Sequence, residues 1–282
     1  MPDHPIVGVD LGGTHVRAGR LQAYSLEAHA QASVPAEGSV EAVLSQVYAV
    51  LDAVHTDAVA GIGVGVPSVV DPETGVVYDV QNIPSWREVP LRMHLADRYG
   101  VPVFVDNDAN CFALGEYQAG HGRGARSLVG LILGTGFAAG LVLDGRLYAG
   151  TTCGAGEVGM IAYRDSIYEH YCSGQFFERH HGTTARAAHA AAVAGVPEAL
   201  SQWAEFGHHL GAALQTVLYA YDPEVIVFGG SVRLAYRFFE ASMREALAPF
   251  AYRPAVQRLR LAVSEIDHVA LVGAAALASG SA

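Results

Sequence analysis

Two short stretches of this chain are versions of one another, and that repetition limits the fold more than any other feature. From Ile6 the sequence runs Ile-Val-Gly-Val-Asp-Leu-Gly-Gly-Thr, and from Ser127 it runs Ser-Leu-Val-Gly-Leu-Ile-Leu-Gly-Thr-Gly. Laid together, Gly8 matches Gly130, Leu11 matches Leu133, Gly12 matches Gly134, and a Gly/Thr pair follows in each copy: Gly13 and Thr14, then Thr135 and Gly136. Apolar residues lead into each glycine tip and out of it, the pattern of a hairpin. Glycines there let backbone N–H groups approach a ligand that a Cβ would block, while the Thr14 hydroxyl and the Asp10 carboxylate can face an oxyanion or its magnesium ion. One such tip is usually only a turn. Two in register make an internal repeat, with coincidence between short glycine motifs as the competing reading. The repeat predicts two related α/β domains facing each other across a cleft, each offering its tip to the same phosphate chain.

The chemistry is expected at Asp106-Asn107-Asp108-Ala109-Asn110. The apolar run 101–105 before it reads as a buried strand, and residues 109–118 after it read as a helix closed by Gly120. Asp108 then stands where a strand hands over to a helix, at the carboxyl end where open α/β sheets bind ligands. A carboxylate fixed beside a helix N-terminus suits a general base for a hydroxyl nucleophile. The plainer alternative is that Asn107 or Asp108 only caps the helix.

The remaining chain supplies framework. Helices are expected over 39–55, 90–100, 197–219 and 268–278, and strands over 60–66, 225–228 and 259–263. The stripe of the long helix is Leu200, Trp203, Phe206, Leu210, Leu214 and Leu218. Asn82 to Trp86 reads as a loop offering a polar group and a ring to a pocket wall. Gly154-Ala155-Gly156-Glu157-Val158-Gly159 surrounds one carboxylate with glycine, which lets Glu157 project toward vicinal hydroxyls; a surface loop is the alternative. Gly229-Gly230 ends a strand where a nucleotide can lie against bare backbone. His170, Cys172, His180 and His181 lack the paired spacing of a zinc site and read as a solvated helix face.

Composition narrows the partners. A net charge of −11 without a Lys/Arg run argues against a nucleic-acid surface, so a phosphate ligand has to be held by backbone amides and a metal. No segment has the unbroken apolar length of a membrane span, the amino terminus is too polar for a signal peptide, and three scattered cysteines fit reduced thiols; a cytoplasmic protein is expected.

These motifs in this order resemble the ROK family of sugar kinases, within the actin-like, sugar-kinase and Hsp70-type ATPase superfamily. The resemblance spans nearly the whole chain: Val-Asp-Leu-Gly-Gly-Thr, Asp-Asn-Asp-Ala-Asn, Leu-Gly-Thr-Gly, Gly-Ala-Gly-Glu-Val-Gly and Asp-Pro-Glu-Val-Ile-Val-Phe-Gly-Gly-Ser. It implies two actin-like (ribonuclease H-like) α/β domains around a central cleft, a smaller one of residues 1–107 with the C-terminal helix 268–282 and a larger one of residues 108–267. It implies ATP-dependent phosphorylation of a hexose or hexosamine at the 6-hydroxyl, with Asp108 taking the proton. Asn107, Glu157 and Glu178 would hold the sugar, with Asn82 beside them. Gly12, Gly13, Thr14, Gly134, Thr135 and Gly136 would line the phosphates of ATP, Asp10 would stand near Mg2+, and Gly229 and Gly230 would lie by the adenosine. A homodimer is implied too. The family's usual histidine is Met160 here, and the Cys-rich zinc loop is replaced by Tyr171-Cys172-Ser173-Gly174, which implies a zinc-free member whose glucose specificity is open toward fructose or an N-acyl hexosamine. Ala138-Ala139 stands where the family commonly has glycine. Family repressors carry an amino-terminal DNA-binding helix pair; with the first strand expected to start near Pro5, no room for one is expected here. The rival reading is a sugar- or nucleotide-sensing ROK protein without catalysis; a non-sugar acceptor is a third.

Overall fold

The computed structural model describes residues 4–280. They form two compact units: one of the residues up to Arg126, Gly140–Ala155 and the residues from Glu265 onward, the other of Ser127–Ala139 and Gly156–Ser264.

The first unit is built on a sheet of β1 (Ile6–Leu11), β2 (His15–Gln22), β3 (Ser25–Ser33), β4 (Ile62–Val66) and β5 (Val103–Asn107), in the order β3-β2-β1-β4-β5. β1, β2 and β3 pair antiparallel, whereas β4 runs parallel to both β1 and β5. Central parallel strands need cover on both faces, and the sequence provides it by alternation. Val9 and Val64 pack into a core with Val43, Val47 and Leu51 of helix α1 (Val40–Val54), which starts at Ser39, whose Oγ accepts from the Ala42 N–H at 3.3 Å. Gly8 and Gly63, register partners on the opposite face, lie under the C-terminal helix Val269–Ala278. A Cβ on Gly8 would fall 2.0 Å from the Leu271 carbonyl oxygen, and one on Gly63 would fall 1.7 Å from that of Ala274. The helix can approach the sheet so closely only because those side chains are absent.

Helix α2 (Leu91–Tyr99) ends at Gly100 in the left-handed conformation, φ 67°, and α3 (Asp108–Ala119) follows β5 without a break. The expected parting of the domains at 107/108 is not where the units separate. α3 packs along the C-terminal helix, where a Cβ on Gly115 would meet the Val269 carbonyl oxygen at 2.3 Å, so residues 108–126 stay with the first unit. Trp86, expected on a pocket wall, is fully buried in the first unit's core instead.

The second sheet contains β6 (Leu128–Leu133), β7 (Phe137–Leu143), β8 (Arg146–Leu147), β9 (Val225–Gly229) and β10 (Arg260–Val263), in the order β8-β7-β6-β9-β10. β9 runs parallel to β6 and β10. The two sheets therefore share one strand order, and the matched glycine tips connect equivalent strands, as the repeat predicts. Helices α4 (Gln175–His181), α5 (Ala185–Val193), α6 (Pro197–Tyr221) and α7 (Tyr236–Leu247) complete the second unit. α6 and α7 meet at Gly207 and Gly211, where a Cβ would fall 2.0 Å from Ser242 Oγ and 2.5 Å from the Met243 carbonyl oxygen. Phe176, Phe177, Trp203, Phe206 and Phe239 form an aromatic core beside them, with Phe177 and Trp203 centroids 4.3 Å apart. Leu200, assigned to the buried stripe, is 38% exposed because it falls in the first turn of α6, next to exposed Glu198 and Ser201. The solvated-face reading of residues 170–181 also needs correction: Cys172 is fully buried and His180 stacks on Tyr171 at 4.8 Å, so these side chains are partly committed to aromatic packing.

Candidate active site

In the first unit, the hairpin between β1 and β2 closes with the Gly12 N–H donating to the His15 carbonyl at 2.9 Å. Asn82 packs on its tip, where a Cβ on Gly13 would stand 2.6 Å from Asn82 Cβ. The sequence places Asn82 with the sugar; in the fold it lies against Gly13 of the first glycine hairpin. Asp10, at the end of β1, faces Arg17 across the register, and its Oδ2 accepts from Arg17 Nη1 at 3.2 Å. Burial pushes the Asp10 carboxyl up from its ordinary value, an effect opposed by Arg17 and by His268. A desolvated carboxylate at a glycine hairpin is chemistry that suits a divalent cation, whose charge would offset the burial penalty.

The strand β5 delivers Asp106, Asn107 and Asp108 to the head of α3. Asn107 is the N-cap: its Oδ1 accepts from the Ala109 N–H at 2.8 Å while its Nδ2 donates to the Ser68 carbonyl at 3.2 Å. The capping alternative thus falls to Asn107. Asp108 is the first helical residue, half-buried, and its Oδ1 also accepts from the Ala109 N–H, at 2.9 Å. Asn107 is itself buried, with one Nδ2 hydrogen given to Ser68 and one Oδ1 lone pair to Ala109, so the expected sugar contact draws on what remains of its amide.

In the second unit, the hairpin between β6 and β7 is braced by residues that motif reading passes over. The Gly134 carbonyl accepts from the Gly174 N–H at 2.7 Å, and that of Thr135 accepts from Gln175 Nε2 at 3.2 Å. Glu169 accepts from the Phe137 N–H at 3.1 Å through Oε2 and from Gln175 Nε2 at 3.0 Å through Oε1. Its Oε2 would lie 2.9 Å from a Cβ on Gly136. Glu169 and Gln175 belong to no glycine motif and no periodic stripe, and nothing in their own stretch of sequence points at them. Glu157 stands at the start of the short helical turn Val158–Met160. Glu157 is exposed at the surface of the second unit, yet desolvation by the surrounding protein, and secondarily the charge of Glu169, raises its carboxyl pKa. Glu178 is exposed in the first turn of α4, and Met160 is 58% exposed. Ala139 is buried and its carbonyl lies 2.0 Å from the Cβ position of Gly156, so this residue packs beneath the Glu157 loop.

Gly229 ends β9, and Gly230 takes φ 75° with its Cβ position 2.2 Å from the Leu133 carbonyl oxygen. That brings Gly230 against the strand leading into the second hairpin. A cavity of about 180 Å³ adjoins it, lined by Arg186, His189, Trp203, Ser231 and Leu234 among others.

A duplicated five-stranded sheet with a glycine hairpin at the same place in each copy, and an acid where the parallel edge strand β5 becomes a helix, defines an actin-like two-domain ATPase fold. The ROK family matches residues 6–281. Glucokinase from Streptomyces coelicolor is 28% identical over 262 residues, covering 80% of this chain and 81% of that protein. N-acetyl-D-glucosamine kinase from Vibrio cholerae is 32% identical over 256 residues, covering 80% and 83%. Among solved structures, a ROK family glucokinase from Streptomyces griseus in complex with glucose and AMPPNP superposes with a TM-score of 0.83 at 26% identity, covering 98% of this chain and 99% of that one. The chain belongs to the ROK family.

Proposed function

We propose that Asp108 is the general base with which this ROK protein transfers the γ-phosphoryl group of ATP to the 6-hydroxyl of a hexose or hexosamine. The chain is an ATP-dependent sugar kinase, a reading supported by its curated relatives and by the solved glucokinase that shares its fold. The observation that carries the role of Asp108 is its place at the first position of α3, directly after a strand end whose capping duty Asn107 already performs.

Phosphoryl transfer asks a protein for alignment and charge neutralisation more than for covalent chemistry. Asp108 accepts the proton of the attacking hydroxyl. Glu157, Glu178 and the remaining Nδ2 hydrogen of Asn107 orient the sugar. The backbone of Gly12, Gly13, Thr14, Gly134, Thr135 and Gly136 approaches the phosphates, and the cavity beside Gly229 and Gly230 takes the adenine. Asp10 would stand near a magnesium ion bound with ATP, which would supply charge neutralisation on the phosphates. Met160, exposed beside Glu157 and unable to donate a hydrogen bond, favours an acceptor whose recognition at this position is apolar, such as an N-acyl hexosamine. A homodimer in the cytoplasm completes the proposal; among the described residues no helix is long and apolar enough to cross a membrane.

The test is ADP release with magnesium and ATP against a panel of hexoses and hexosamines, beside Asp108→Asn. Sugar-dependent turnover is expected, reduced about 10²- to 10⁴-fold in the variant with sugar binding by calorimetry retained. Equal turnover in both proteins would remove Asp108 from the mechanism; binding without turnover in either would favour a sensor.

A further inference from the structure

The turn that follows β9 in the second unit is held by a side chain outside every motif. Ser231–Ala235 is a short helical turn between Gly230 and α7, and Ser231, Val232, Leu234 and Ala235 all line the cavity of about 180 Å³. Arg233, the one residue of the turn that does not, reaches back instead. Its Nη1 donates to the Gly230 carbonyl at 2.8 Å and its Nε donates to the Ser264 carbonyl at 3.2 Å. Ser264 is buried directly after β10, where its N–H donates to the Phe228 carbonyl of β9 at 2.9 Å. One guanidinium thus joins the exits of two neighbouring parallel strands to the start of the cavity wall.

The backbone at this place explains why a fastening is needed. Gly230 combines φ 75° with ψ 172°, a conformation that is essentially reserved for glycine, and glycine has the least intrinsic preference for staying in any one conformation. Its Cβ position lies 2.2 Å from the carbonyl oxygen of Leu133, the last residue of β6 before the Gly134 tip. The same residue therefore touches the strand leading to the glycine hairpin and begins the wall of the cavity. Arginine suits the task because its Nε and Nη donors lie in one rigid plane and can bridge two carbonyls at a fixed separation, whereas a lysine ammonium is a single mobile charge.

We propose that Arg233 is a positioning residue for the nucleotide: by fastening Gly230 to the end of β10, it sets where the wall Ser231–Ala235 stands relative to the Gly134 tip, and with it the reach from adenosine to the phosphates. The inference rests on the reading that adenosine enters this cavity for its functional consequence, and on the two hydrogen bonds for the fastening.

Two variants of the full chain separate the fork from the charge. Arg233→Met keeps an apolar stem and loses every donor, while Arg233→Lys keeps the charge and loses the fork. ADP and inorganic tripolyphosphate, which has no adenosine, are titrated calorimetrically into each protein with magnesium. Arg233→Met is expected to weaken ADP about three- to thirtyfold, the range of one to two hydrogen bonds, and to leave tripolyphosphate within about twofold of wild type; Arg233→Lys is expected to fall between. In turnover, the ATP KM should rise by a similar factor while the sugar KM, with ATP saturating, stays within about twofold. Hydrogen exchange of peptides covering 229–236 is expected to quicken in Arg233→Met, with those covering 203–214 of α6 unchanged. ADP binding equal to wild type in Arg233→Met, or ADP and tripolyphosphate weakened together, would overturn the proposal, as would Arg233→Lys matching wild type, which would assign the effect to charge alone. Wild type that binds ADP but turns over no sugar defeats the sugar-kinase reading, and the ADP comparison still decides on Arg233. Wild type that binds no ADP defeats the nucleotide cavity and this proposal with it.

Discussion

Replacing Gly13 by alanine tests whether the first hairpin and Asn82 form one unit. The new Cβ would stand 2.6 Å from Asn82 Cβ and 3.2 Å from its Cγ. Carbon atoms settle at about 3.5–4.0 Å, so roughly 1 Å must open between them. Neither side yields easily: Asn82 Cβ is fixed to a turn held by Ile83 N–H to the Val80 carbonyl at 3.0 Å and Trp86 N–H to the Ile83 carbonyl at 2.8 Å. Overpacking of this kind costs about 1–3 kcal/mol, or a fall of about 2–10 °C in Tm for a chain of this size. The control lies in the partner. Asn82→Gly removes the offending carbon, whereas Asn82→Ala keeps it. Thermal unfolding of the singles and both doubles should give a coupling energy of about 1 kcal/mol or more in the glycine cycle and close to zero in the alanine cycle. Gly13→Ala as stable as wild type, or rescued equally by both partners, would refute the reasoning.

Other expectations follow from the second unit and the sheet. His209, buried and hydrogen-bonded through Nδ1 to the Tyr163 hydroxyl at 3.1 Å, has its pKa lowered from 6.5 to about 4, chiefly by burial. The unfolded chain takes this proton first, so the contribution is complete above about pH 6.5 and is lost as pH falls toward 4. Denaturant midpoints should drop over that window, and less steeply in His209→Gln. Glu157 should lose its charge at a higher pH than an ordinary glutamate, so sugar KM should rise early on acidification; Glu169→Gln, which removes the secondary cause, should move that rise to lower pH. Gly63→Ala, whose Cβ would fall 1.7 Å from the Ala274 carbonyl oxygen, should leave little soluble protein, while Gly100→Ala, with open space around it, should remain folded and lose only about 1 kcal/mol for the left-handed backbone.

What could be read from the sequence was what local rules govern. Ser39 and Gly100 marked helix ends because capping and left-handed closure need those residue types. The repeated tips predicted a repeated sheet because a hairpin tip determines which strands adjoin it. The Asp10–Arg17 pair was within reach, since the hairpin register sets those residues opposite each other, yet the glycines drew the attention. Glu169 and Gln175 were not legible, because they act on the backbone of residues 32 to 40 positions away and nothing in their own neighbourhood records it. The unit boundary failed for a related reason. α3 is buried over residues 109–116, but only its contact with a helix near the other end of the chain, as where Gly115 meets Val269, shows what covers it.

That C-terminal helix imposes an order of assembly. Synthesis delivers β1 to α3 early, yet the surface at Gly8, Gly63 and Gly115 has no cover until residues 269–278 have left the ribosome. The second unit, closed within residues 127–264, has all of its own strands beforehand. Vectorial folding usually favours the part made first. Here the half synthesised later can settle first, leaving the glycine-lined sheet as a waiting template on which the final helix completes the molecule.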